Sequence, residues 1–229
     1  MICPQVPDCQ GLGSEQKADA MAEEGAPTLT ERGVRTRERL IQATREIFEE
    51  MGFLDARVSH ITPRAKVAYG TFYTYFDSKE AVLREIAERL FTDMTEPGRL
   101  PLSGATPSER VRRANRSYYE AYLRNARMMA IIEQVATFNE EFREMRRRHR
   151  AAWVGRSAHA IRRWQGEGIV DADLDADMAA RALAAMVDHS LYLRLVQGDG
   201  DDTERFLDTL DALTIRALGL DRVPRSSRE

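Results

Sequence analysis

The chain has 229 residues and a formal net charge of −3. That is enough for one globular core with or without a small module, and too evenly charged to coat nucleic acid by bulk electrostatics. No apolar run is long enough to span a bilayer, and no basic segment followed by an apolar stretch opens the sequence, so a cytoplasmic protein without a membrane partner is expected.

Residues 1–33 hold few large apolar groups and are rich in Asp and Glu, which reads as a disordered acidic tail. Cys3 and Cys9 lie within it with no second pair, so neither zinc nor a structural disulfide is expected. From Val34 to Met51, Leu40, Ile41, Thr44, Ile47, Phe48 and Met51 recur at helical spacing, and Gly52 ends the helix. A short helix carrying Val58, Ile61, Ala65 and Val67 follows, then a second in which Phe72 and Phe76 share one face. Asp77 and Glu80 have capping-box spacing for a helix reaching about Met94, and residues 96–105 read as a surface loop. Thr106, Pro107 and Glu109 signal the next start. Helices are then expected to about Asn125, over Met128 to Thr137, over Glu140 to Gly166, over Asp175 to Val196 and over Thr203 to Leu218. With no strand periodicity anywhere, the fold is predicted to be all-α, with about nine helices.

The block from Arg57 to Glu80 carries the most chemistry. Opposite Phe72 and Phe76, the short second helix presents Tyr69, Gly70, Tyr73 and Thr74. Tyrosine and threonine hydroxyls can hydrogen-bond phosphate oxygens, and a glycine on that face lets backbone approach a base edge. Over residues 34–79, Arg35, Arg37, Arg39, Arg45, Arg57, Arg64, Lys66 and Lys79 slightly outnumber the acids, the sign that a local DNA-binding patch requires. The Arg143–Arg150 run, by contrast, sits beside Glu140, Glu141 and Glu144 and reads as a solvated helix face. His60, His149, His159 and His189 form no helical metal-binding pair, and no nucleophile elbow or phosphate loop is present, so neither a metal, a cofactor nor an enzyme activity is expected.

Gly70-Thr71-Phe72-Tyr73, Tyr75-Phe76 and Ser78-Lys79-Glu80, together with Arg37, Leu40, Ile41, Ala43, Ile47, Phe48 and Gly52-Phe53 upstream, resemble the helix-turn-helix domain of the tetracycline-repressor (TetR) family of bacterial transcription regulators. The resemblance covers roughly residues 34–94, with the motif at 57–76, and implies a three-helix DNA-binding domain followed by an effector-binding and dimerisation domain over 95–229. It places Tyr69 and Gly70 at base edges of operator DNA. Thr71, Tyr73, Thr74 and Tyr75 lie along phosphates in this reading, Lys79 adds a charged contact, and Arg37 and His60 are flanking candidates. Two residues depart from the family pattern. Pro63 lies inside the first short helix and should fray or bend it, and Lys66 stands where the family has glycine, so it must take a positive φ at roughly 1 kcal/mol.

The resemblance further implies a homodimer paired through the last two helices, where Ala179, Ala180, Ala182, Ala184 and Ala185 permit close approach. It also implies a pocket among the middle helices for a small, largely apolar effector, with Tyr118, Tyr122, Phe142 and Trp153 as wall candidates. The resulting expectation is a ligand-responsive repressor of a palindromic operator. A helical small-molecule-binding protein or enzyme without DNA binding, and an activator of the same fold, are the alternatives.

Overall fold

A computed structural model describes residues 30–95, 104–200 and 202–221. Most of the expected acidic tail, both cysteines and most of the expected loop over 96–105 lie outside the described residues. Among the described residues, those up to Glu38 belong to one unit and those from Arg39 onward to a second, which holds the candidate residues described below apart from Arg37.

Eight helices and no strand occur among the described residues: α1 (Glu31–Asp55), α2 (Val58–Arg64), α3 (Tyr69–Tyr75), α4 (Lys79–Thr95), α5 (Pro107–Phe138), α6 (Glu140–Gly166), α7 (Ala176–Leu195) and α8 (Thr203–Ala217). The count is one below expectation because the two helices predicted on either side of residue 126 are a single helix, α5. Neither Gly nor Pro interrupts it after Pro107. Asn125, the expected end of the first of them, donates from its side-chain amide to the Ala121 carbonyl (2.8 Å) and stays within the helix.

The start and stop signals have direct physical causes. Thr106 Oγ1 accepts from the Glu109 amide (3.3 Å) while the Glu109 carboxylate accepts from the Thr106 amide (2.7 Å), the reciprocal box the sequence announced. Asn139, Asp175 and Asp202 cap α6, α7 and α8 through their side-chain oxygens. For α4 the cap is Ser78, whose hydroxyl accepts from the Ala81 amide (3.2 Å), one residue beyond the expected Asp77. Gly52 breaks α1 with φ 80° and ψ 169°, a conformation open essentially to glycine alone. Lys66 adopts φ 54° in the turn between α2 and α3, the left-handed geometry expected of it. Pro63 does not abolish α2. It sits one residue before the helix end, so only one helical bond is lost and little helix remains beyond it to be disturbed.

Two apolar clusters hold the second unit together. One joins Leu40 and Phe48 of α1, Ile61 of α2 and Phe72 of α3 to Val82, Leu83 and Phe91 of α4 and to the middle of α5. The other gathers Val154, Ile161 and Trp164 of α6 with Ala180 and Ala184 of α7, Ile215 of α8 and Leu218 just beyond it. The continuous α4 therefore shares its core with the short helices at one end and with α5 at the other.

Candidate nucleic-acid interface and ligand cavity

The α2–α3 block is divided into an inside and an outside. Phe72 is fully buried and Phe76 is 5% exposed, their rings 6.0 Å apart, whereas Tyr69 and Tyr73 are 56% and 49% exposed. The two tyrosine hydroxyls are 3.2 Å apart, and this hydrogen bond holds the Tyr73 phenol above its ordinary pKa. Gly70 and Thr74 are exposed on the same helix, Thr71 is half-buried, and Tyr75 is half-buried against the core. Beyond its chain neighbours and the backbone of its own helix, a Cβ added at Gly70 would meet nothing within 4 Å, so packing within the chain does not require glycine there.

His60 is exposed on α2, its Nδ1 accepting from the Arg57 amide (3.3 Å), and the Lys66 side chain is exposed in the turn. Arg37 is half-buried in the N-terminal unit. Lys79 does not project outward as a free cation. Its ammonium donates to the carbonyls of Phe53 (2.7 Å), Ala56 (2.8 Å) and Leu54 (3.5 Å) and lies 4.4 Å from the Phe53 ring centroid. It thus closes the end of α1 that Gly52 leaves open and ties the start of α4 to it.

Arg64 fixes the angle of α2. Its guanidinium donates to both carboxylate oxygens of Glu50 (2.7 Å each) and to Glu46 (3.1 Å) on α1. The Arg64 hydrogen bond lowers the Glu50 pKa, and bonds from Gln42 and then Arg64 lower that of Glu46. Exposed pairs of this kind add little stability, but a bidentate guanidinium restricts orientation.

A cavity of about 350 Å³ lies among α5, α6, α7 and α8, with Met94 of α4 also on its wall. Val111, Tyr118, Trp153, Ile161, Trp164 and Val187 give it an apolar and aromatic lining. Of the predicted wall residues, Tyr118 and Trp153 line it, their rings 4.4 Å apart. Tyr122 and Phe142, 1% and 0% exposed, lie in the core instead of among the lining residues. Their size and helical phase suit core and wall alike, and only the packing separates the two.

Behind Tyr118 sits a polar cluster that corrects the reading of the Arg143–Arg150 run. Arg143 and Arg147 do pair with Glu140 at the surface, but Arg146 is buried, ion-paired with Glu133 and 3.4 Å from an oxygen of Asp188. The same carboxylate accepts from the Tyr118 hydroxyl (2.8 Å) and from Arg150 (3.2 Å). Burial opposes the charge on Arg146, yet Glu133 and Asp188 outweigh it and raise the guanidinium pKa. The Tyr118 phenol is pushed well above its usual range by burial and then by the Asp188 charge.

His149, which no sequence motif singled out, also lines the cavity. Its ring stacks on Phe91 of α4 (centroids 4.2 Å apart, planes at 19°), and its buried Nε2 has no hydrogen-bond partner. Burial, reinforced by the Arg146 charge, lowers its pKa from 6.5 to about 4. The neutral ring is thus the folded form above that value. As pH falls from 6.5 towards 4, the unfolded chain takes up a proton that the folded chain refuses, and stability should drop by about 2–3 kcal/mol. Denaturant titrations between pH 7 and pH 4 check this, since His149→Leu should remove that part of the slope. Equal slopes for the two proteins would count against it.

Residues 40–86 match the family model described as bacterial regulatory proteins, tetR family. The uncharacterized HTH-type transcriptional regulator YvdT of Bacillus subtilis is 46% identical over 55 residues, 24% of this chain and 28% of that protein. The chain therefore spans well under a third of YvdT's length. The HTH-type transcriptional repressor DhaR of Mycobacterium sp. (strain GP1) is 24% identical over 176 residues, 75% of this chain and 88% of that one. Among solved structures, Salmonella enterica GusR superposes with a TM-score of 0.68 at 24% identity, covering 83% of this chain and 98% of that chain, a likeness of fold.

Proposed function

Since the chain belongs to the tetR family of bacterial regulatory proteins, we propose that this transcriptional regulator is a homodimeric repressor, released from a palindromic operator by a small, largely apolar effector. The observation that carries the DNA-binding part is the division of α3. Phe72 and Phe76 dock the helix, while Tyr69, Gly70, Tyr73 and Thr74 face outward with no part in the core. A glycine that the chain's own packing does not require is what close approach to a base edge calls for. Tyr69 and Gly70 read bases, and Tyr73, Thr74, Thr71 and the Tyr75 hydroxyl contact phosphates. His60, Lys66 and Arg37 supply flanking contacts. Lys79 acts mainly by fixing the start of α4.

The division of labour proposed is 34–94 for DNA, with the motif at 57–76, and 95–229 for the effector and a second copy. Pairing through α7 and α8 is supported by the exposed Met178 (62%) and Leu213 (48%), with the exposed small side chains Ala182, Ala185 and Ala217 beside them. The cavity supports the effector, with Tyr118 and Trp153 as its best-placed aromatic walls. Two contacts take the cavity to α4: Met94 on its wall, and His149 stacked on Phe91. An effector that favours one setting of α4 by a few kcal/mol suffices to shift operator occupancy. Among the described residues no helix is long and apolar enough to cross a membrane; the proposed cytoplasmic site of action follows from the proposed binding of operator DNA.

Electrophoretic mobility shifts on DNA from upstream of the chain's own gene test the reading. The wild type should retain a palindrome, less well as salt rises, and Tyr73→Ala should bind it about tenfold more weakly while unfolding at the same denaturant concentration. A wild type that retains no DNA at low salt, or a Tyr73→Ala protein that binds as the wild type does, overturns it.

A further inference from the structure

Two polar atoms on the cavity wall have no hydrogen-bond partner among the described residues: the hydroxyl of Thr214, a residue 7% exposed, and the buried Nε2 of His149. Other buried polar side chains of the wall are bonded within the chain, Tyr118 to Asp188 (2.8 Å) and Asn115 to Asp211 (2.7 Å). Buried polar groups are rarely left unpaired, so two such atoms facing one cavity call for partners on the molecule it holds.

The two atoms stand at opposite ends. His149 stacks on Phe91, which belongs to the cluster shared with α1–α5, whereas Thr214 precedes Ile215, which packs with Val111 and Trp164 in the other cluster. The bonds Asn115–Asp211 and Ser108–Leu220 set α8 antiparallel to α5 and bring Thr214 to the start of α5. Tyr118 and Trp153, the latter one turn from His149, lie between. Neither orphan group offers a countercharge, so an ionised head group beside it would lose water without compensation. A neutral imidazole nitrogen donates or accepts according to its tautomer, and a threonine hydroxyl does both. A hydroxyl on the ligand, itself donor and acceptor, satisfies either.

We infer that the effector is an uncharged molecule of linked rings with a hydroxyl near each end, one bonded to His149 Nε2 and the other to the Thr214 hydroxyl. The rings lie against Tyr118, Trp153 and Trp164. This rests on the effector reading above and narrows its chemistry. A volume of about 350 Å³ is near the lower end of small-molecule sites, enough for two linked rings.

Both tryptophans of the chain line the cavity, so quenching of their fluorescence reports binding there. The probes are biphenyl carrying a para hydroxyl on both rings, on one ring or on neither, and biphenyl with a para carboxylate on both. Each is titrated into the full chain, into His149→Phe, which keeps a ring on Phe91, into Thr214→Val, which keeps the shape, and into the double variant. Affinity should rise about tenfold with each hydroxyl, and the dicarboxylate should bind more weakly than the diphenol. Each single variant should lose about tenfold for the diphenol and bind biphenyl as the wild type does. The double variant should bind the three uncharged probes alike. Thr214→Val should also unfold at no lower denaturant concentration, since it removes an unpaired buried hydroxyl. The inference is overturned if the diphenol quenches neither tryptophan, if biphenyl or the dicarboxylate binds as tightly as the diphenol, or if either variant keeps the full preference. DNA retention measured on the same samples keeps the two ideas apart. Release of DNA by biphenyl as readily as by the diphenol sinks the two-ended recognition and spares the effector reading. Hydroxyl-dependent binding that leaves DNA retention unchanged keeps the recognition and counts against the effector reading.

Discussion

Replacing Phe72 by alanine is expected to cost about 3–5 kcal/mol and to abolish DNA retention. The ring is fully buried at the junction of α1, α2, α3 and α4, and its neighbours Phe76 and Tyr73 lie at centroid distances of 6.0 and 5.4 Å. Truncation removes the transfer energy of a whole aromatic ring and leaves a void that helices as short as α2 and α3 cannot close without moving. Phe72→Leu, which keeps most of the volume, should cost nearer 1 kcal/mol and leave weak DNA binding. The contrast with Tyr73→Ala is the informative one. That variant acts on the adjacent residue, half-exposed, and should lose affinity with little loss of stability. Urea unfolding monitored by circular dichroism, paired with mobility shifts, separates the two. Similar destabilisation by both substitutions would mean that α3 is not divided into an inner and an outer face.

The second large effect is expected at Asp188. One carboxylate serves the Tyr118 hydroxyl, the buried Arg146 and the more exposed Arg150. Asp188→Ala strips Arg146 of one of its two acidic partners in a site where 6% of the arginine side chain is exposed, and should cost about 3 kcal/mol. The loss falls at the lower end of what breaking a buried pair entails because Glu133 remains. Arg146→Met in the same background removes the charge that was left uncompensated and should restore much of the loss. A double-mutant cycle by urea denaturation checks this, and two losses that simply add would show that Asp188 and Arg146 are not coupled.

What could be read in the sequence was local. The Thr106–Glu109 box, the Gly52 break and the positive φ of Lys66 each depend on residues close together in the chain, and the structure has all three where they were expected. The division of α3 was legible for the same reason, because a period of 3.6 residues separates Phe72 and Phe76 from the tyrosines. Non-local partners were harder to foresee. Lys79 looked like a free cation until the fold brought three carbonyls from residues 53–56 to it. Arg146 was read as surface because its neighbours in sequence are charged, although Phe142, His149 and Trp153 flank it at helical spacing and mark the inner stripe of α6. That phase was the available signal, and composition masked it. Tyr118 and Trp153 could not be told from Tyr122 and Phe142 as cavity walls, since all four are aromatic residues on the two helices that meet there.

Arg45 donates to the side-chain oxygen of Asn125 (2.9 Å), and Arg84 donates to Glu141 (2.7 Å). The first bond pins α1 to the middle of α5 and the second pins α4 to the start of α6. Two pins on different helices define an axle. If both hold, α4 is free chiefly to turn about the line joining them; loss of the Arg45 bond would add a sliding freedom. In the proposed regulator that one bond, between α1 and α5, would then help decide whether a small shift at Met94 is passed on as a rotation or as a translation of the proposed DNA-binding helix.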